Sequence, residues 1–115
     1  MSDSLLPEKD RRAGQDDSPD VRAMRALAKF AAQSPLTPAL RTGLLELASG
    51  LSYRAIAERN GISLNTVKTE VSATLARLQV SSRHEIEAAV QAARRRARDG
   101  ASDDDIYELV RLRIP

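Results

Sequence analysis

The stretch NGISLNTVKTEVSATLARL, Asn60 to Leu78, decides the fold. From Leu64 onward, Val67, Val71, Leu75 and Leu78 recur three or four residues apart, the period of one buried face of an α-helix. The other side reads Asn65, Lys68, Thr69, Ser72 and Ala76. A surface helix ordinarily fills its wet side with long Lys/Glu pairs. Short polar side chains and one lysine make instead a face kept low, so that another molecule can come close.

Immediately upstream, LSYRAIAERNG supplies a short helix: Ser52 caps it, Ile56 and Ala57 turn inward, and Asn60-Gly61 tolerates a left-handed turn. Gly61-Ile62-Ser63 is then a turn, with Ile62 pointing back into the core and Ser63 capping the next helix. Short helix, Gly-containing turn and second helix make a helix-turn-helix unit. With its apolar side pinned, the second helix (about 64–78) presents Asn65, Lys68, Thr69 and Ser72 as neighbours. Such a ridge can sit in a DNA major groove, which is about as wide as a helix. Lys68 can reach guanine acceptors or a phosphate, and Asn65 can pair with adenine or brace the backbone. Thr69 and Ser72 can meet base edges or thymine methyls.

The flanks read as helices too. SPDVRAMRALAKFAAQS places Ser18 as cap, Pro19 at the first helical position and Asp20 at the positive end, giving an N-terminal helix over 18–34. LTPALRTGLLELASG repeats the device with Thr37 and Pro38, and carries Leu40, Leu44, Leu47 and Ala48 on one stripe. In SSRHEIEAAVQAARRRARDG, Ser82 and Glu85 have capping-box spacing, and Ile86, Ala89, Val90 and Ala93 share a stripe. ASDDDIYELVRLRIP opens with Ser102 and three aspartates and ends in arginines, so residues 94–115 read as a basic helix end and a C-terminal helix. Ile106, Leu109 and Val110 there suit a core or a dimer seam equally. The arginines of Arg94 to Arg98 suit a phosphate-contacting tail or a helix C-terminus whose dipole they complement, and the loop signal that follows at once favours the second. Residues 1–17 are polar and aperiodic, and are expected to be a disordered acidic leader. The expectation is six helices, no strand and no repeat: an all-α fold.

Composition narrows the chemistry. The chain has 115 residues, room for one core, and its apolar content is aliphatic, with one Phe, two Tyr and no Trp. Without cysteine there is no disulfide scaffold, thiolate metal site or Cys nucleophile, and a single His84 offers no zinc set, so neither metal nor cofactor is expected. No nucleophile–base pair, phosphate loop or paired carboxylates stand out, so an enzyme is not expected. There is no signal-peptide pattern and no membrane-length apolar run; the expected location is the cytoplasm, with no membrane partner. Residues 1–20 hold six acids against three bases, and the remainder fifteen bases against ten acids. An acidic leader on a basic body suits a polyanion partner.

Residues 36–93 resemble the LuxR-type DNA-binding domain of bacterial transcription regulators. The resemblance is carried by Leu36-Thr37-Pro38, Gly50-Leu51-Ser52, Ile56-Ala57, Gly61-Ile62-Ser63, Thr66-Val67-Lys68, Leu75, Leu78, Val80, Arg83 and Glu85, in order and spacing. It implies a four-helix domain, here with one extra helix before and one after, acting on double-stranded DNA as a homodimer. Base contacts would fall to Lys68, Thr69 and Ser72, with Asn65 added by the geometry above. DNA backbone contacts would come from Ser63, Thr66, Arg54 and Arg83. The fourth helix would supply dimerisation through Ile86, Ala89, Val90 and Ala93. RNA polymerase or a regulatory protein would be a further partner. No receiver or ligand-sensing domain is expected ahead of the motif. The chain departs from the family pattern at Leu40, Thr42 and Gly43, which suits an added surface for the preceding helix, and at Glu70 and Gln79, the last where Gly is usual.

Two other classes compete. LSYRAIAERNGIS also resembles sigma-factor region 4, a promoter-binding module. A helical adaptor that has lost DNA binding would suit Glu70 and the small excess of six bases over five acids across residues 36–93. The run LQVSSRHEIEAAV, with a fourth helix beginning at Ser82, favours the LuxR-type reading over the sigma-like one.

Overall fold

A computed structural model describes residues 18–114. The leader expected over 1–17 lies outside the described residues. Six helices follow one another: α1 (Pro19–Ala32), α2 (Pro38–Ala48), α3 (Tyr53–Asn60), α4 (Leu64–Leu78), α5 (Arg83–Arg98) and α6 (Asp103–Arg113). There is no strand among the described residues, and no helix of theirs is long and apolar enough to cross a membrane.

The helix starts follow the chemistry of their caps. Ser18, Thr37, Ser52, Ser63 and Ser102 each accept a bond from the backbone N–H three residues on, at 3.0–3.3 Å. Each satisfies a donor that the first helical turn would otherwise leave unpaired. The sixth start corrects the expected box. Ser82 makes no side-chain cap bond. Glu85 instead accepts from the backbone N–H of Ser81 at 3.0 Å and from the Ser81 hydroxyl, one residue earlier than the spacing suggested. Those two bonds hold the Glu85 carboxyl below its ordinary value of 4.5. The Glu85–Ser81 pairing is therefore present in full above that value and is lost as pH falls through the lowered one.

Between α4 and α5 the chain turns sharply at Gln79, whose φ of 59° and ψ of 38° place it in the left-handed region. No other non-glycine described residue has a positive φ. A Cβ there costs roughly 1 kcal/mol, which glycine avoids. Gln79→Gly is therefore expected to stabilise the chain by about 0.5–1 kcal/mol, less than the full strain because glycine also frees the unfolded chain. Thermal melting followed by circular dichroism checks it. A lower melting temperature would show that the glutamine side chain holds the turn.

Packing divides the apolar residues into two clusters. In the larger, α1, α5 and α6 lie against one another, with α2 seated on α1 and α5. Ala23, Leu27, Ile86, Ala89, Ala93, Ile106, Val110 and Ile114 are fully buried there. Leu40, a departure from the family pattern, belongs to this cluster, while Thr42 is exposed. The smaller cluster joins Leu47, Ile56, Ala57, Val67 and Val71, and so fixes α3 and α4 on α2. Leu75 touches both.

This arrangement corrects the expected dimer seam. Ile86, Ala89, Val90 and Ala93 are at most 1% exposed. An apolar stripe needs cover, and α1 and α6 supply it from within the chain. Polar contacts set the register of the covering pair. Arg22 donates from Nε to Asp103 at 2.9 Å and from Nη2 to the Ala101 carbonyl at 2.5 Å. Lys29 stands 4.3 Å from the centre of the Tyr107 ring, whose hydroxyl donates to Gln33 Oε1 at 2.8 Å. On the other side Asp20 pairs with Arg94 at 2.9 Å. Partly exposed pairs like these contribute at most about 1 kcal/mol each, against about 1.5–3 for each fully buried Ile or Leu. The aliphatic residues hold the helices together, and the charges choose how they align.

Candidate nucleic-acid interface

The turn that launches α4 is built as the sequence suggested. Gly61 sits at φ 65°, ψ 34°, its N–H bonded to the Ala57 carbonyl. Ile62 donates to the same carbonyl at 3.1 Å and packs, half-buried, on the smaller cluster. The Ser63 hydroxyl accepts from Thr66 N–H at 3.1 Å and lies 2.9 Å from the Thr66 hydroxyl, so both expected backbone-contacting residues are engaged in the cap itself.

A second device anchors the unit. Glu46 of α2, only 8% exposed, accepts from Asn60 Nδ2 at 3.0 and 3.2 Å and from Arg59 Nε at 3.3 Å. Asn60 Nδ2 also donates to the Ile56 carbonyl at 2.9 Å. A buried carboxylate needs such donors, and here they tie the last turn of α3 to α2. Sequence reasoning missed Glu46. Its signal was an acid directly beside the apolar stripe of α2.

With α4 seated, Val67, Val71, Thr74 and Leu78 form its buried side. Thr74 is a buried hydroxyl with a local partner, donating to the Glu70 carbonyl at 2.9 Å. On the outer side Asn65, Lys68, Thr69, Ser72 and Ala76 are all exposed, and nothing among the described residues covers them. No carboxylate among the described residues pairs with Lys68. Glu70 is half-buried on the flank, where it lines a depression of about 230 Å³ with Gly43, Glu46, Asn60 and Ile62. That depression is lined mainly from α2, off the ridge.

Of the two arginines expected near DNA phosphates, Arg54 is exposed near the start of α3. Arg83 is corrected. Its Nη2 donates to the Leu47 carbonyl at 3.1 Å and the Leu51 carbonyl at 2.6 Å, its Nε lies 3.2 Å from Glu87, and its guanidinium faces the Tyr53 ring at 5.5 Å. The physical reason lies in α2, whose last turn has no basic residue of its own. Beside the backbone donor that the Leu47 carbonyl already has, α5 supplies a charged one, and the same guanidinium meets the Leu51 carbonyl in the loop beyond. Arg83 thus clamps the helix-turn-helix to the bundle.

The geometry is a helix-turn-helix with one helix standing proud, short-sided and uncovered. No curated protein and no solved structure matches the chain. Residues 34–90 match the family model of bacterial regulatory proteins of the luxR family. Through this stretch the chain belongs to the luxR family, as a DNA-binding protein of transcription regulation with a helix-turn-helix domain.

Proposed function

We propose that the chain recognises specific duplex sequences in the cytoplasm by inserting α4 into the major groove. One observation carries the reading: Asn65, Lys68, Thr69 and Ser72 form an exposed ridge on a helix whose opposite side is packed against α2 and α3. Lys68 and Asn65 read base edges, Lys68 through guanine acceptors and Asn65 through adenine. Thr69 and Ser72 are short enough for close approach. Ser63, Thr66 and the first N–H groups of α4 lie at the positive end of the helix and meet a phosphate, and Arg54 meets another. Arg83 acts at a distance, by holding the unit's angle.

Selection from random duplexes at two salt concentrations tests this. Enrichment of a defined sequence is expected. Absence of both enrichment and retention at low salt would refute DNA reading. On the selected duplex, Lys68→Ala is expected to weaken binding by about 1–3 kcal/mol while leaving the melting temperature unchanged. An equal loss on unrelated DNA would make Lys68 a phosphate contact instead.

A further inference from the structure

We infer that Leu64 is a further specificity-determining residue of α4, packing on the C5-methyl group of a thymine beside the base that Lys68 meets. The inference rests on the DNA-reading role of α4 and adds an apolar contact to its polar ones.

Leu64 is the first residue of α4 and keeps 38% of its surface exposed. Among the described residues only Leu64 and Leu112 are large hydrophobics left exposed, and Leu112 stands on α6. Leu64 belongs to neither apolar cluster. Nor does it start the helix, because Ser63 supplies the cap, accepting from Thr66 N–H. Its position along α4 gives it a use. Leu64, Lys68 and Ser72 are spaced four apart and make one row, the last two belonging to the exposed ridge. A helical side chain leans toward the N-terminus of its own helix. Leu64 therefore projects over the leading end of α4, the end that reaches base edges when the second helix of such a unit enters the groove.

The chemistry of the side chain selects its partner. A carboxylate here would be repelled by phosphates, and the first turn of α4 holds none. A leucine neither donates nor accepts, so against a base nitrogen or oxygen it would only displace water and leave that atom unpaired. The thymine methyl is the apolar group that the major groove presents. Contact between the two removes apolar surface of both from water. Spacing sets the place. Side chains four apart on a helix are about 5–6 Å from each other, and successive base pairs about 3.4 Å, so the thymine falls within two base pairs of the base that Lys68 meets.

The test uses the full chain and the duplex enriched by the selection. Each thymine is replaced in turn by deoxyuridine, which lacks only the methyl group, and binding is followed by fluorescence anisotropy. One replacement, within two base pairs of the position whose preference Lys68→Ala relaxes, is expected to weaken binding about fourfold, as for one buried methyl group. Leu64→Ala is expected to keep the parent's melting temperature and to bind the thymine and uracil duplexes alike. Leu64→Met, apolar and of similar size, is expected to retain the preference for thymine. The inference is overturned if no uracil replacement weakens the parent, whatever Leu64→Ala does to folding or affinity. It is overturned equally if Leu64→Ala stays as sensitive to uracil as the parent, which would give the methyl contact to Thr69. Both results leave DNA reading intact. If no duplex is enriched or retained, DNA reading itself fails and the thymine contact fails with it.

Discussion

Val90→Arg is expected to abolish the folded state at room temperature. Val90 is 1% exposed and lies in the cluster shared by α1, α5 and α6. A guanidinium there has no carboxylate to meet, and leaving a charge buried and unpaired costs about 3–5 kcal/mol. Overpacking the alanines around it adds about 1–3 kcal/mol. A domain of this size has about 5–15 kcal/mol in all. Circular dichroism should show most of the helical signal gone. Because a long arginine can thread its head toward water, Val90→Asp is the companion variant, too short to do so. If both variants stay folded with the parent's melting temperature, α5 is not covered by its own chain, and a seam between copies returns as the better account.

Val71→Asp should be nearly as damaging, and in a different place. Val71 is 8% exposed in the smaller cluster, with Leu47, Ile56, Ala57 and Val67. An aspartate there must either be buried without donors, at several kcal/mol, or pull α4 off α2. Binding to every duplex is expected to disappear, together with the cooperative melt, since Leu75 links this cluster to the larger one. The contrast with Lys68→Ala separates the two sides of α4: one change removes the helix's seat, the other only a contact. A Val71→Asp protein that melts like the parent would mean that α4 is rotated and its polar ridge turned under.

How much of this was legible beforehand depended on how local each cause was. Helix starts could be read because Ser18, Thr37, Ser52, Ser63 and Ser102 act within one turn of themselves. The failure at Ser82 is instructive, since Ser81 and Ser82 offer Glu85 two hydroxyls one residue apart and spacing alone cannot choose. The ridge on α4 was legible from periodicity. An amphipathic stripe, however, states only that a face is covered, never by what. The stripe on α5 therefore read as a dimer seam, and Ile106 and Val110 could not be assigned, until α1 and α6 were seen lying across it. Arg83 and Glu46 were illegible for the same reason. Arg83 reaches carbonyls 32 and 36 residues earlier, and Glu46 waits for an amide 14 residues later.

The bond between Arg22 and Asp103 spans 81 positions of sequence. A ribosome making this polypeptide releases α1 early and α6 late, so the aliphatic sides of α1 and α5 stay wet until Ile106, Val110 and Ile114 have emerged. Closing so long a loop slows folding. The nascent protein is thus most vulnerable to aggregation and proteolysis just before α6 arrives, and a premature stop between Arg98 and Ile106 would leave that exposed surface permanent.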